Sequence, residues 1–358
     1  MEVHKMKKLL CILMALMLLA GAACAEGTTR VLTDALGREV EVPETVNRIV
    51  CTGVGALRYV CYLGAEDRVV GVEEHETEAV IQRLYTYVNN DQFSKLPVIG
   101  MKDEPDPEAI LNIEPDVIVM SAYLDGADAL QEKTGIPVFV VPGSDTTLDD
   151  KAYETFRMLG ELLGMQSEAE EISSYLKGVA GDLENRTAGI PDSEKPGAYV
   201  CGVSFKGSHG FEGTEAHYGP FELIHARNLA DETSETNTAF SIDPEQVLAW
   251  DPEVIFVDFN GLDLINEDYA KNPDFYNALT AVQNGRVYSQ ISFRHCASNL
   301  ETALADAYYA GCVMYPDAFA DIDPAEKADE IFTKLLGRPV YGELEEAGYA
   351  FRSIQIGQ

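Results

Sequence analysis

A segment of fourteen residues occurs twice, 137 positions apart. Asp106-Pro107-Glu108-Ala109-Ile110-Leu111-Asn112-Ile113-Glu114-Pro115-Asp116-Val117-Ile118-Val119 aligns with Asp243-Pro244-Glu245-Gln246-Val247-Leu248-Ala249-Trp250-Asp251-Pro252-Glu253-Val254-Ile255-Phe256. Each copy has an Asp N-cap, Pro at the first helical position, a short helix, and an acidic-Pro-acidic turn into an apolar strand. Convergent capping explains an Asp-Pro-Glu start alone. The shared turn and strand behind it point to two duplicated lobes.

The surrounding pattern fits such lobes. Val31 to Val42 reads as a hairpin turning at Asp34-Ala35-Leu36-Gly37. Strand-like runs follow at Arg48–Thr52, Arg68–Val72, Asp116–Ser121 and Pro137–Pro142, with helical stretches at Ala56–Leu63, Glu76–Val88, Pro107–Ile113 and Asp125–Thr134 between them. Continuous β-branched runs separated by helices indicate a parallel sheet covered on both faces. The alternation then breaks. Asp149–Leu163 and Ser167 to about Arg186 are successive helices, the second with Ile172, Leu176, Val179 and Leu183 at helical spacing. Strands resume at Ala198–Val203, Glu253–Asp258 and Arg286–Gln290, and Ser298-Asn299-Leu300-Glu301 reads as a capping box opening a helix to about Met314. A final helix spans Pro324–Leu336. The expected class is α/β: two Rossmann-like lobes with parallel sheets joined by a single long α-helix. The expected division is a signal peptide at 1–25, an N-terminal lobe at 26–165, a linking helix at 166–190 and a C-terminal lobe at 191–358.

Lys5, Lys7 and Lys8 precede the apolar run Leu9–Ala23, and Ala23-Cys24-Ala25 supplies small residues for cleavage. The chain is therefore expected to be exported, to a periplasm or a cell surface. Cys24 offers a point for a lipid anchor, although Gly21 stands where lipoprotein signals usually carry Leu. Twenty-six Lys and Arg against sixty Asp and Glu leave a net charge of −34. Such a surface repels phosphate backbones and anionic headgroups, so nucleic acid is not an expected partner. Cys51, Cys61, Cys201, Cys296 and Cys312 remain after signal removal, with no CxxC spacing. That excludes a zinc ribbon and leaves either a bridge or two, or buried thiols.

Val31-Leu32-Thr33-Asp34-Ala35-Leu36-Gly37-Arg38-Glu39-Val40-Glu41-Val42-Pro43 is followed by Asn47-Arg48-Ile49-Val50 and by Leu63-Gly64-Ala65-Glu66-Asp67-Arg68-Val69-Val70-Gly71-Val72. With the two Asp-Pro-Glu segments, this order resembles the periplasmic substrate-binding proteins of iron-siderophore, haem and cobalamin ABC importers, from about Val31 to Gly337. The resemblance implies a ligand cleft between two lobes that move little, no required cofactor, and a monomer serving a dimeric membrane permease. It also implies that Glu108 and Glu245 dock onto permease arginines. Taken alone, each is also ordinary helix design, because a first-turn carboxylate is favoured by the helix dipole.

Open α/β sheets bind ligands at the carboxyl ends of their strands. Thr52-Gly53-Val54-Gly55 at one such end offers backbone N–H groups to an anion, or is simply a tight turn. His75 and Tyr123 follow two further N-lobe strands. In the C-lobe, Lys206, His209, His217, Tyr218, Arg294 and His295 gather cations and aromatic rings suited to an anionic metal chelate. The expected contact set is His75, Tyr123, Lys206, His209, Tyr218, Arg294 and His295, with an iron-siderophore-type chelate as ligand. Haem and cobalamin stay open. A bare transition metal held by His75 with His209, His217 or His295 is a rival, as is an oxyanion such as molybdate. The chain has no G-x-S-x-G elbow, Walker loop or H-E-x-x-H, so catalysis is not expected.

Overall fold

Two four-stranded parallel sheets of the same topology organise the chain. The computed structural model describes residues 28–143 and 147–358. The segment read as an export signal, Cys24 included, lies outside the described residues. In the first sheet Ile49–Thr52 lies between Val69–Gly71 and Val117–Ser121, with Val138–Val141 outermost. In the second, Gly197–Cys201 lies between Arg227–Asn228 and Val254–Asp258, with Val287–Gln290 outermost. The two inner strands of each sheet are buried at every residue, as strands covered by helices on both faces must be.

The duplicated segments form the same local structure twice. The Asp106 carboxylate accepts the N–H groups of Glu108 and Ala109 at 2.9 and 3.3 Å, opening the helix Pro107–Ile113. That helix ends at Glu114 in the left-handed region, φ 52°. Asp116 then accepts the N–H groups of Asn47 and Arg48 at 2.8 and 2.9 Å, which fixes the next strand beside Ile49–Thr52. In the second copy Asp243 caps Pro244–Trp250, Asp251 ends it at φ 47°, and Glu253 accepts the Gly197 N–H at 3.0 Å.

The opening hairpin pairs Thr29–Thr33 with Glu39–Pro43. Its turn is held by Asp34, whose buried carboxylate takes Leu36 and Arg38 N–H groups and the Arg38 guanidinium. Asp150–Leu163 and Gln166–Thr187 then form a helical hairpin through Gly164, φ 67°. The second helix has 22 residues, roughly 33 Å long, and buries Ile172, Leu176, Val179 and Leu183.

The lobes share one apolar core. It contains Tyr59, Tyr62 and Phe156 from the first half together with Leu176, Leu304 and Leu335. The helix Pro324–Leu336, expected to be the last, is followed by a short helix, Tyr341–Glu346, and crosses back to pack on Ala56–Tyr62 and Leu84–Val88 of the first lobe.

Two sequence expectations are corrected. The capping box at Ser298 does not form: Leu300–Met314 starts one residue later, after Asn299, with no side-chain cap. Its members are used elsewhere, since Ser298 Oγ accepts from Arg294 at 3.0 Å and Glu301 accepts from Tyr62. The Glu76–Val88 stretch is broken into a 3₁₀ turn, Glu74–Thr77, and a short helix, Leu84–Val88. The C-lobe also carries an antiparallel strand pair, Gly213–Ala216 with Thr238–Ser241, that the alternation did not signal. All five described cysteines are free thiols; burial raises the Cys51, Cys61 and Cys201 thiols well above their usual range.

Candidate functional site

The carboxyl ends of the N-lobe strands converge on a carboxylate, Glu73, that is 1% exposed. Its oxygens accept the Thr52 hydroxyl at 2.7 Å and the N–H groups of Gly53 and Asp103 at 3.1 and 3.3 Å. Asp103, φ 61°, accepts the Val54 N–H at 3.0 Å. The Gly53 and Val54 N–H groups are therefore already bound to carboxylates. The loop is a tight turn rather than an anion cradle.

Positive charge gathers beside this turn. Arg83 is 2% exposed and donates to the His75 carbonyl at 2.6 Å, while its Nε has no partner among the described residues. Neither ring nitrogen of His75 makes a hydrogen bond among the described residues, and Nδ1 stands 3.8 Å from Glu73 Oε2. Burial, then Arg83, Lys102 and His295, depress the His75 imidazole to about 4. Burial with Arg83, Arg58 and Lys102 does the same to His295. Both rings are neutral at physiological pH. Each lies in the field of Arg83, Arg58 and Lys102, with the buried carboxylates Glu73 and Glu76 close by.

Arg58 fastens the crevice shut at its base. This guanidinium, 1% exposed, reaches from the N-lobe helix to the C-lobe loop and donates to the carbonyls of His295 (3.1 Å), Ser298 (2.9 Å) and Cys296. Its charge faces the Tyr85 ring at 5.0 Å. Cys296 and Ala297 in that loop have φ of 52° and 67°, a costly backbone for residues with a Cβ. Tyr62 adds a second bridge, donating to buried Glu301 and accepting the Leu300 N–H at 3.1 Å. Among the described residues no carboxylate forms an ion pair with Arg58 or Arg83, so neither buried charge is neutralised by direct contact.

The other sequence candidates fall in different places. Tyr123 is 39% exposed and lines, with Thr33, Lys151 and Arg157, a cavity of about 580 Å³. Tyr218 is corrected to a core residue: it is fully buried against Phe221 and Phe293, with its hydroxyl on Gln290 at 2.7 Å. Arg294 is likewise already committed. It grips the buried Glu215 carboxylate with two nitrogens and reaches Asn237 at 2.9 Å. Lys206 and His209 belong to one self-contained loop. There His209 stacks on Phe205 with ring centroids 3.9 Å apart and reaches the Phe205 carbonyl at 2.9 Å.

His75 and His295 are thus brought together with Glu73, which shares the strand-end segment Glu73-Glu74-His75, and Arg58, Arg83 and Lys102 join them unannounced by motif. One signal was available for Arg58. It is the only charged residue between Val50 and Leu63. A lone cation in an apolar stretch has to find acceptors inside the fold. Glu108 and Glu245 are both exposed in the first turns of the duplicated helices, at matching positions of the two lobes.

A titratable group behind the crevice makes stability pH-dependent. Glu76 is buried beneath Tyr85, and burial plus the nearby Glu73 charge lift its carboxyl to about 8. The folded chain then holds a proton that the unfolded chain releases near 4.5, so stability falls as pH rises through that window. His75 and His295 act oppositely, but only between about 4 and 6.5. The window from pH 6.5 to 8 therefore isolates the carboxyls. Glu76→Gln is expected to reduce the loss of stability across it by about 1–2 kcal/mol in urea titrations. An unchanged pH slope in that variant refutes a protonated Glu76.

Two duplicated parallel-sheet lobes, a helical connector, and histidines and arginines from both lobes meeting at the strand ends define a two-lobed solute-binding protein. Residues 49–290 match the family model described as periplasmic binding protein. The chain belongs to the periplasmic binding protein family. It is the solute-binding component of an ABC importer, not an enzyme. It is 25% identical over 260 residues to the Fe(3+)-citrate-binding protein YfmC of Bacillus subtilis, covering 73% of this chain and 78% of that one. A periplasmic solute binding protein from Veillonella parvula superimposes with a TM-score of 0.67 at 20% identity, covering 87% of this chain and 94% of the other. The Haemophilus influenzae protein MolA, bound to molybdate, gives 0.68 at 18% identity, covering 87% and 98%. These structural likenesses are of fold.

Proposed function

We propose that the chain captures an anionic iron chelate between its lobes, outside the cytoplasmic membrane, and hands it to a dimeric ABC permease through Glu108 and Glu245. The supporting observation is the pair of buried guanidiniums, Arg58 and Arg83, set beside two neutral histidines from opposite lobes in a chain of net charge −34. A buried, unneutralised cation is costly unless an anion completes it. A polycarboxylate chelate supplies several anionic oxygens, as in the ferric citrate for which the Bacillus relative is named. An oxyanion such as molybdate is the second reading, favoured by the likeness to MolA. The occupied Gly53 and Val54 N–H groups speak against it, since a small oxyanion depends on such donors.

Native mass spectrometry and the visible spectrum of protein purified from its own host identify what it carries. A colourless but loaded protein overturns the iron-chelate reading. In titrations of the emptied protein, ferric citrate is expected to bind and molybdate is not. Arg83→Met is expected to weaken ferric citrate binding at least about tenfold, as loss of a charge-assisted contact does. Equal affinity in wild type and variant excludes Arg83 from the ligand site.

A further inference from the structure

Away from the crevice, three side chains of the C-lobe meet in a way that ion pairing alone does not complete. The strand Gly213–Ala216 runs into His217, held at φ 51°. The helical turn Gly219–Glu222 follows, and Asp231 lies in the 3₁₀ turn Leu229–Thr233. One ligand atom from each of His217, Glu222 and Asp231 lies within 4.8 Å of the other two.

The hydrogen bonds around them assign each atom's role. The His217 Nε2 faces the Ser234 carbonyl at 3.1 Å. A carbonyl only accepts, so Nε2 carries the hydrogen, and in the neutral ring Nδ1 is a bare lone pair. That lone pair points toward Glu222 Oε1 at 3.6 Å, which is also an acceptor. Two acceptors face each other across a solvent-accessible gap that a cation can fill. Asp231 is arranged the same way. Its Oδ1 accepts the His217 N–H at 2.6 Å and Asn228 Nδ2 at 2.7 Å, which leaves Oδ2 for another partner. The His217 carbonyl is held by Asn237 Nδ2 at 2.8 Å. An imidazole donating its far N–H to a carbonyl, beside a carboxylate oriented through one oxygen, is the outer support that metal ligands need.

We propose that His217 Nδ1, Glu222 and Asp231 form a binding site for a divalent transition-metal ion, separate from the chelate crevice. One imidazole nitrogen with two carboxylates suits Zn²⁺ or Ni²⁺ better than Ca²⁺ or Mg²⁺, which prefer oxygen throughout. His217 and Glu222 are partly exposed, so solvent fills the remaining positions. Bound there, the ion ties the end of the strand Gly213–Ala216, the Gly219–Glu222 turn and the segment after the edge strand Arg227–Asn228. The site needs neither His75 nor His295, so it stands or falls independently of the proposed ligand.

The test titrates tag-free, metal-stripped protein with Zn²⁺ alone and then Ni²⁺ alone, by calorimetry, elemental analysis and thermal melting. One equivalent is expected to bind with Kd below about 10 µM and to raise the melting temperature. His217→Ala and Glu222→Gln are expected to weaken this at least about tenfold. Glu222 is exposed, so its variant folds whatever the fate of the His217 one. The double variant His75→Ala/His295→Ala is expected to retain the site. Absence of binding overturns the proposal. Binding that survives His217→Ala, or that disappears in the crevice double variant, overturns it as well.

Discussion

Uptake is expected to fall by more than about tenfold when Glu108 and Glu245 are both replaced by lysine, with ligand affinity unchanged. The two carboxylates stand at matching positions of duplicated helices, each exposed and each behind an aspartate cap. On the proposed docking role, reversing both charges turns two attractive contacts with the permease into repulsive ones, and like charges across an interface cost several kcal/mol. Neither residue takes part in the crevice, so binding of the chelate is unaffected. Transport in cells carrying the matched permease, set against ligand titration of the purified variants, separates the effects. Undiminished uptake by the double variant would sink the docking role. A single substitution is expected to leave partial transport, since one lobe remains engaged.

The second large effect concerns stability. Arg58→Met keeps much of the side chain's volume but removes every donor to the carbonyls of His295, Cys296 and Ser298. Those carbonyls lie in a loop with two left-handed residues, which has little reason to hold its shape without them. Three lost bonds to a charged donor are expected to cost about 3 kcal/mol, a fall in melting temperature of roughly 4–5 °C for a chain of this length. Arg58→Lys is expected to fall between variant and wild type, because an ammonium cannot span three carbonyls in the plane a guanidinium does. A melting temperature for Arg58→Met within about 2 °C of wild type would refute the clamp.

Much of the architecture is written in local sequence. The Pro107–Ile113 and Pro324–Leu336 helices begin and end where the Asp-Pro starts and the following turns place them. The buried strands Val117–Ser121 and Val254–Asp258 announce themselves by uninterrupted apolar runs. Local signals fail where a side chain is used across the lobes. Ser298 and Glu301 have the spacing of a capping box, yet one serves Arg294 and the other a tyrosine 239 residues away. Arg58 is equally opaque, since its carbonyl acceptors lie 237 to 240 residues further along.

The candidate site was legible only in part. His75 and His295 sit at strand ends, where the fold class directs attention. Tyr218 and Arg294 sit there too, but a tyrosine can be absorbed by the core, and Glu215 reaches Arg294 first. Composition finds scarce cations in an acidic chain. It does not reveal which of them the protein's own carboxylates have already claimed.

The Pro324–Leu336 helix covers the Ala56–Tyr62 and Leu84–Val88 helices of the first lobe. The lobe made first therefore cannot bury that face until the residues made last have arrived. Domains that are self-sufficient fold one after another as the chain emerges. Here completion of the first lobe waits on nearly the whole chain. Cutting the chain before Pro324 would expose apolar surface in the N-terminal lobe, far from the cut in sequence. The same helix that closes the molecule sets the earliest moment at which it can become a binding protein.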